Sequence, residues 1–213
     1  NNWSAFTYEV WVYPESSGSR EGVVGHNDII EFGFNPANRI HFWTAKGSQV
    51  NWNFNSSTLP YNTWHHIVGV GDGTANSNNL KIYVNGVLKA EGGSAPSSDH
   101  YGSANYNVNI GAGAYDPLNS TQYYDGNLDE IRIWNSARTL EEIKSNMFKQ
   151  LEGNESNLQA YFKMSSASGT TLVDNSPNSY DGTISGASWG TNYVPLGDLL
   201  TAYQTDMEGL WEA

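Results

Sequence analysis

Carboxylate pairs are the first residues in the chain that could do chemistry. Hydrolysis of a glycosidic bond needs two carboxyl groups that face one cleft, one as acid and the other as nucleophile or base. The neighbours Asp129 and Glu130 lie on a predicted strand, where adjacent side chains point to opposite faces. Glu141 and Glu142 lie on a predicted helix, and Glu9 stands alone on its strand. We therefore expect no catalytic pair and a protein that is not an enzyme.

Aromatic and amide side chains are concentrated in two long predicted loops, 91–106 and 111–126. Long loops in a compact domain tend to be functional, and tyrosine can stack on an apolar ligand face while its hydroxyl reaches water. The candidate ligand-binding residues at this rim are Tyr101, Tyr115, Asp116, Asn119 and Tyr123. This composition predicts a shallow groove for a polysaccharide or glycan; the alternative is that the tyrosines only pack.

His41 and Trp43 are candidate neighbours across that groove. They alternate with Phe42, so Phe42 and Trp43 must face opposite sides of a strand, one toward the core and one outward. His65 and His66, by contrast, begin a strand, and we expect their rings to be packed as structural groups.

Composition limits the partners of the chain. Its 22 acidic and 10 basic residues give a net charge of −12, which disfavours nucleic acid because phosphate contacts need clustered Lys and Arg. The chain has no Cys, so disulfides and thiolate metal sites are excluded. No apolar run is long enough to predict a membrane span. Oxygen donors from Asp and Asn make calcium the expected metal.

The elements that must position these residues are short strands separated by turns. Examples are 6–13, 29–34 and 39–44, and Leu80 to Val84 is followed by Asn85-Gly86, a strong hairpin signal. We predict an all-β, two-sheet antiparallel jelly-roll sandwich. One short helix is predicted within 136–149, where Thr139 and Glu142 have the spacing of a capping box.

Three segments resemble the laminin-G-like, concanavalin-type family of secreted bacterial modules. They are Phe6 to Pro14, Asn62 to Gly86 with its Trp64-His65 start, and Tyr124 to Trp134 with the helix behind it. Together they cover most of residues 3–148. The resemblance implies a carbohydrate-binding or adhesion module, secreted or at the cell surface, within a larger multidomain protein.

The same resemblance suggests where calcium would bind. Asp129 matches a position on the late strand that can hold an ion in similar sandwiches, and Asn27 and Asp28 lie at a second, loop-rim position. The alternative for Asp129 is a carboxylate that accepts hydrogen bonds from backbone amides. A protein–protein adhesion domain without glycan specificity, and less so a glucanase-like hydrolase, are the alternative functions.

Residues 158–189 depart from the family order, because they resemble a segment that often opens such a domain. They either belong to a following copy or add outer strands to this sandwich. We expect the second, since about 40 residues cannot form a core alone. We therefore predict one sandwich over 1–197 and a tail or linker over 198–213.

Overall fold

The structure is a computed structural model that describes residues 3–16, 19–26, 29–44, 48–75, 79–93, 107–113, 122–166 and 168–197. Within these ranges the chain forms thirteen strands and one helix. The strands are β1 Ala5–Pro14, β2 Glu21–His26, β3 Ile30–Asn35, β4 Arg39–Thr44, β5 Ser48–Asn53, β6 His65–Asp72, β7 Leu80–Val84, β8 Val87–Gly92, β9 Val108–Ile110, β10 Gly126–Trp134, β11 Leu158–Phe162, β12 Thr171–Leu172 and β13 Gly182–Thr183. The helix is α1, Leu140–Asn146.

Two antiparallel sheets form the predicted sandwich. The six-stranded sheet has the order β11-β10-β1-β6-β7-β8, and the five-stranded sheet has the order β5-β4-β3-β2-β9. Strands β2 to β5 are consecutive hairpins, whereas β1 pairs with β6 and β10, which are distant in sequence. The all-β jelly-roll prediction is confirmed.

Alternating side chains fill the space between the sheets. Phe6, Val10 and Val12 of β1 point into this core, as do Phe32 of β3 and Phe42 of β4. Phe42 lies in contact with Gly69 of β6, where a Cβ atom would come within 3.0 Å of the ring. The period-two pattern of the sequence therefore decides which face of each strand is buried.

The predicted β7–β8 hairpin is present. Asn85 and Gly86 both have positive φ angles, 50° and 72°. Both central positions of a type I′ turn require this conformation, which explains the Asn-Gly pair. Asn85 also accepts a hydrogen bond from the backbone N–H of His66, so the turn is tied to the neighbouring strand.

The displaced C-terminal segment adds one edge strand, β11, to the six-stranded sheet, while β12 and β13 pair as a separate two-stranded sheet. Strand β11 pairs with β10 in the same sheet as β1, and Ala160 and Phe162 enter the common core. The prediction that 158–164 shares this core is confirmed. The predicted tail, 198–213, lies outside the described residues.

Helix α1 covers the outer face of the six-stranded sheet. Thr139 is its N-cap and forms the predicted capping box with Glu142. Ile143 packs on Val68 and Val70, while Met147 and Phe148 pack with Trp11 and Trp64 in a second cluster. Both faces of this sheet are therefore buried in its middle.

Candidate functional site

The outer face of the five-stranded sheet carries three rows of mostly polar side chains. Strand register places Glu31, Trp43 and Gln49 in one row. Gly33, His41 and Asn51 form the next row, and Asn35, Arg39 and Asn53 form the third. We call this surface the polar sheet face. Because directly paired residues of antiparallel strands share a face, all nine residues lie on the same side.

Two side-chain pairs organise the polar sheet face. His41 Nδ1 lies 2.9 Å from the amide oxygen of Asn51, at hydrogen-bond distance. Arg20, just before β2, forms an ion pair with Glu31 of β3. One pair therefore lies in the row that contains Gly33, and the other involves Glu31 of the neighbouring row, so planar polar groups are held in place in the absence of a ligand.

Glycines make the centre of this face shallow. Gly25 and Gly33 have no side chains, and a depression above them is lined by Arg20, Glu31 and His41. A Cβ atom on Gly33 would lie 2.2 Å from the carbonyl oxygen of Glu21, so the close approach of β2 requires glycine here. The floor of the depression is therefore backbone.

His41 is held in its neutral form. Burial lowers the pKa of His41 below its usual value, and the positive charges of Arg20 and Arg39 lower it further, while the hydrogen bond that His41 donates to Asn51 opposes them. A neutral imidazole has one donor and one acceptor nitrogen. Because Nδ1 donates to the amide oxygen of Asn51, Nε2 is the nitrogen that can accept a hydrogen bond from a ligand hydroxyl.

Trp43 is the aromatic side chain of the polar sheet face. It is partly exposed, while its neighbours Phe42 and Thr44 are buried. Phe42 belongs to the core and Trp43 does not, which confirms that the two point to opposite sides. The face thus combines one stacking surface with planar hydrogen-bonding groups, and it brings the predicted residues His41 and Trp43 together.

Tyr123 lies on a different surface. Its ring is 60% exposed and lines a wide cleft at the edge formed by β9 and β11, together with Tyr180 and Tyr193. His41 and Trp43 are not among the residues that line this cleft. The other predicted ligand residues, Tyr101, Tyr115, Asp116 and Asn119, lie outside the described residues, as do the predicted metal ligands Asn27 and Asp28.

Asp129 is buried beneath the C-terminal segment. Its Oδ1 accepts a hydrogen bond from the N–H of Glu130 and its Oδ2 from the N–H of Val194, both at 2.9 Å. Burial raises the pKa of Asp129 to about 6. The described ranges hold no group of three or more His, Asp or Glu side chains that could bind a metal. The contacts match the alternative of a carboxylate that accepts backbone amides, and calcium at Asp129 stays a prediction.

The expectation that Asp129 and Glu130 face opposite sides is wrong. Glu130 has a positive φ of 49°, and the register with β1 shifts at this point, which marks a bulge. Asp129 pairs with Trp11, and Glu130 binds Arg132, so both carboxylates lie on the outer side of the six-stranded sheet. There the C-terminal segment and α1 cover them, and each is engaged in hydrogen bonds.

Sequence reasoning missed several residues of the polar sheet face: Arg20, Glu31, Arg39, Gln49 and Asn51. The alternation of Gln49 to Asn53 does show a polar face on that strand. The Asn35 to Asn38 turn also predicts that 29–34 pairs with 39–44. What the sequence does not show is the register, which is needed to put these side chains in common rows.

The polar sheet face and the cleft occur on a fold that solved structures share. A presumed carbohydrate-binding protein from Bacteroides ovatus has a TM-score of 0.73 at 22% identity, covering 92% of this chain, which spans 56% of that protein. The CBM40 of the Ruminococcus gnavus IT-sialidase, bound to α2,6 sialyllactose, has a TM-score of 0.50 at 10% identity, with 67% and 82% of the two chains covered. The Streptococcus pneumoniae NanB sialidase has a TM-score of 0.51 at 16% identity, with 76% and 27% covered.

Sequence comparison leads to the same fold. No curated protein matches the chain. Within the part of the chain that the structure describes, no helix has the length and hydropathy of a membrane span. The model of one protein family matches residues 1–144, about two thirds of the chain. The chain therefore belongs to the Laminin_G_3 family of the concanavalin A-like lectin/glucanases superfamily.

Proposed function

We propose that this domain is a non-catalytic carbohydrate-binding module and that it binds glycans on the polar sheet face. The observation that carries the proposal is Trp43, a partly exposed ring excluded from the core and set in one row with Glu31 and Gln49. Sugar recognition needs an apolar surface for the ring and a few placed polar groups for the hydroxyls. Trp43 supplies the first, and His41 with Asn51 supplies the second.

The relatives support a glycan as the ligand. The Bacteroides ovatus protein is presumed to bind carbohydrate, and the Ruminococcus gnavus module binds a sialylated sugar. At these low identities the likeness shows the shared fold alone. A glycan as the ligand of this chain is therefore part of the proposal. The polar sheet face provides both an aromatic ring and planar hydrogen-bonding side chains, the two kinds of group that such a ligand requires.

The non-catalytic part of the proposal rests on the adjacent carboxylates. Asp129 and Glu130 are 4% and 1% exposed, and both lie under other parts of the chain. Glu130 accepts hydrogen bonds from Arg132 and from the hydroxyl of Tyr161. Neither carboxylate lines a groove that a polysaccharide could enter, as glycoside hydrolysis requires.

Substitution of Trp43 tests the function. Trp43→Ala removes the stacking surface and should weaken the affinity for polysaccharides, measured by affinity electrophoresis, by about tenfold or more. This corresponds to the binding free energy gained when part of an aromatic ring is buried against a sugar. Since Trp43 lies outside the core, the melting temperature should change little. A glycan array on the wild-type domain first identifies which polysaccharides to use.

Tyr123→Ala is the matched control, because it removes another exposed aromatic ring from the cleft. Loss of binding in Tyr123→Ala but not in Trp43→Ala would move the site to the cleft. An array on which the wild type binds no glycan would contradict the proposal and favour the protein–protein adhesion alternative.

Location outside the cell and stabilisation by calcium belong to the same proposal. Calcium is supported by the acidic composition and the abundant oxygen donors, and location outside the cell by the resemblance of the chain to secreted modules. The partner domains expected in a larger protein are supported by the Bacteroides ovatus relative, of which this chain spans 56%.

A further inference from the structure

The polar sheet face is locally positive in a chain whose net charge is −12. Arg20 and Arg39 both act on His41, whose pKa their charges lower. The charge of Arg20 is balanced by its ion pair with Glu31. The side chain of Arg39 makes no ion pair or hydrogen bond with the residues that the structure describes. The positive charge of Arg39 is therefore not neutralised by any ion pair among the described residues.

Arg39 is partly fixed by its surroundings. Its Nε atom is buried without a hydrogen-bond partner, whereas the two terminal nitrogens are not among the buried atoms that lack a partner, and the residue as a whole is partly exposed. Its register partners Asn35 and Asn53 are neutral amides that do not neutralise it. A guanidinium held this way presents two parallel donors, the geometry that matches a carboxylate or a sulfate.

The spacing of the face fits a ligand longer than one sugar. Arg39 and Trp43 lie on the same side of β4, four residues apart, with His41 between them. At the rise of an antiparallel strand this separates them by about 13 Å. A sugar stacked on Trp43 would therefore place a unit further along the same glycan, beyond the adjacent one, near Arg39.

We propose that the polar sheet face selects glycans that carry an anionic group, with Arg39 as the ion partner and Trp43 as the stacking surface. This inference rests on the proposed function and names its ligand class. The anionic group is a carboxylate or a sulfate on one sugar of an otherwise neutral chain. A dense polyanion fits less well, because the net charge of −12 repels it where screening is incomplete.

Paired oligosaccharides test the proposal. The first pair is cellotetraose in which one glucose has been oxidised to glucuronic acid, and unmodified cellotetraose; the second is cellotetraose that carries one sulfate ester, and the same unmodified chain. At physiological salt the wild type should bind the anionic member of one pair about tenfold more tightly or better, as expected for a charge-assisted hydrogen bond. The pair that shows the preference identifies the anionic group.

Arg39→Gln should abolish this preference and leave binding of the neutral members unchanged. Lys81→Gln removes the same charge from β7 of the other sheet and should leave the preference intact, which controls for net charge. Equal binding of both members by the wild type, with loss of both in Trp43→Ala, would overturn the charge inference and keep the proposed function. Binding of neither member of either pair by the wild type would contradict the inference, while the glycan array decides the proposed function.

Discussion

The outer faces of the two sheets both carry charged residues, but they use them differently. On the six-stranded sheet Glu9 and Arg132 are fully buried and Arg138 nearly so, under α1 and the residues that follow it. Arg138 lies 3.0 Å from Glu9, and Arg132 lies 3.7 Å from it. On the five-stranded sheet the charged residues stay partly exposed. The first face, which we call the closed face, is covered by α1 and the residues that follow it. The second, the polar sheet face, is not covered by the described residues, and we also call it the open face.

Two arginines of the closed face connect helix α1 to the six-stranded sheet by hydrogen bonds. Arg132 donates to the carbonyl oxygen of Asn146 at the end of α1 and to that of Lys149. Arg138 donates to Glu9 and to the carbonyl oxygen of Glu142, and its guanidinium lies 3.9 Å from the ring centre of Trp134. Most N–H groups of these two guanidinium groups therefore donate hydrogen bonds within the chain. Charge there therefore has a structural role, whereas the side chain of Arg39 has no such partners among the described residues, which is the basis of the ligand proposed for it.

The imidazole of His66 lies on the closed face without a hydrogen bond. Its Nε2 lies 3.6 Å from Glu9, which is too long for one. Burial would raise the pKa of Glu9, but His66 and the charges of Arg138 and Arg132 outweigh it and lower the pKa. A lowered carboxyl pKa stabilises the fold above the unfolded value of 4.5, and this stability is lost as the pH falls.

The largest expected effect comes from removing the central charge of the closed face. Glu9→Gln leaves Arg138 and Arg132 buried without their shared counter-charge and should lower the free energy of unfolding by about 3–5 kcal/mol. Urea denaturation monitored by tryptophan fluorescence measures the change. A loss below about 1 kcal/mol would show that the two faces do not differ in the way described.

A second, smaller effect concerns Asp129 and pH. Its pKa of about 6 exceeds the unfolded value of 3.8, so its contribution is fully present below pH 3.8 and is lost as the pH rises through 6. The stability of the wild type relative to Asp129→Asn should therefore fall by about 3 kcal/mol between these values. Denaturation of both proteins across this pH range measures it.

The same pair of proteins tests calcium. If the ion binds at Asp129, chelator should lower the melting temperature of the wild type and leave Asp129→Asn unchanged, since a bound ligand stabilises the folded state by mass action. A wild type that does not respond to chelator contradicts the calcium prediction and leaves Asp129 as an acceptor of backbone amides.

The smallest effect is expected on the open face. Glu31→Gln breaks the pair with Arg20, whose side chain is 38% exposed, and should change the free energy of unfolding by no more than about 1 kcal/mol. The same urea series as for Glu9→Gln provides the measurement. A loss comparable to that of Glu9→Gln would mean that the polar sheet face is structural.

Much of the fold could be predicted from local patterns, and the site could not. Thr139 with Glu142, and Asn85 with Gly86, depend on neighbours within four residues, so their motifs identify the helix start and the turn. The polar sheet face depends on how β3, β4 and β5 align, which fixes Glu31 beside Trp43 and His41 beside Asn51. The bulge at Glu130 likewise follows from pairing with β1, and no local signal marks it.

The strand orders also determine when each sheet can form during synthesis. Strands β2 to β5 are successive hairpins with short connections, so these four strands of the five-stranded sheet can pair as soon as residue 53 has left the ribosome. Strand β1 must wait for β6 and then for β10, which begins at Gly126. Such distant pairings fold slowly because a long loop has to close first. The surface proposed to bind glycans is therefore built early, and the sheet that anchors it is completed only when nearly the whole domain has left the ribosome.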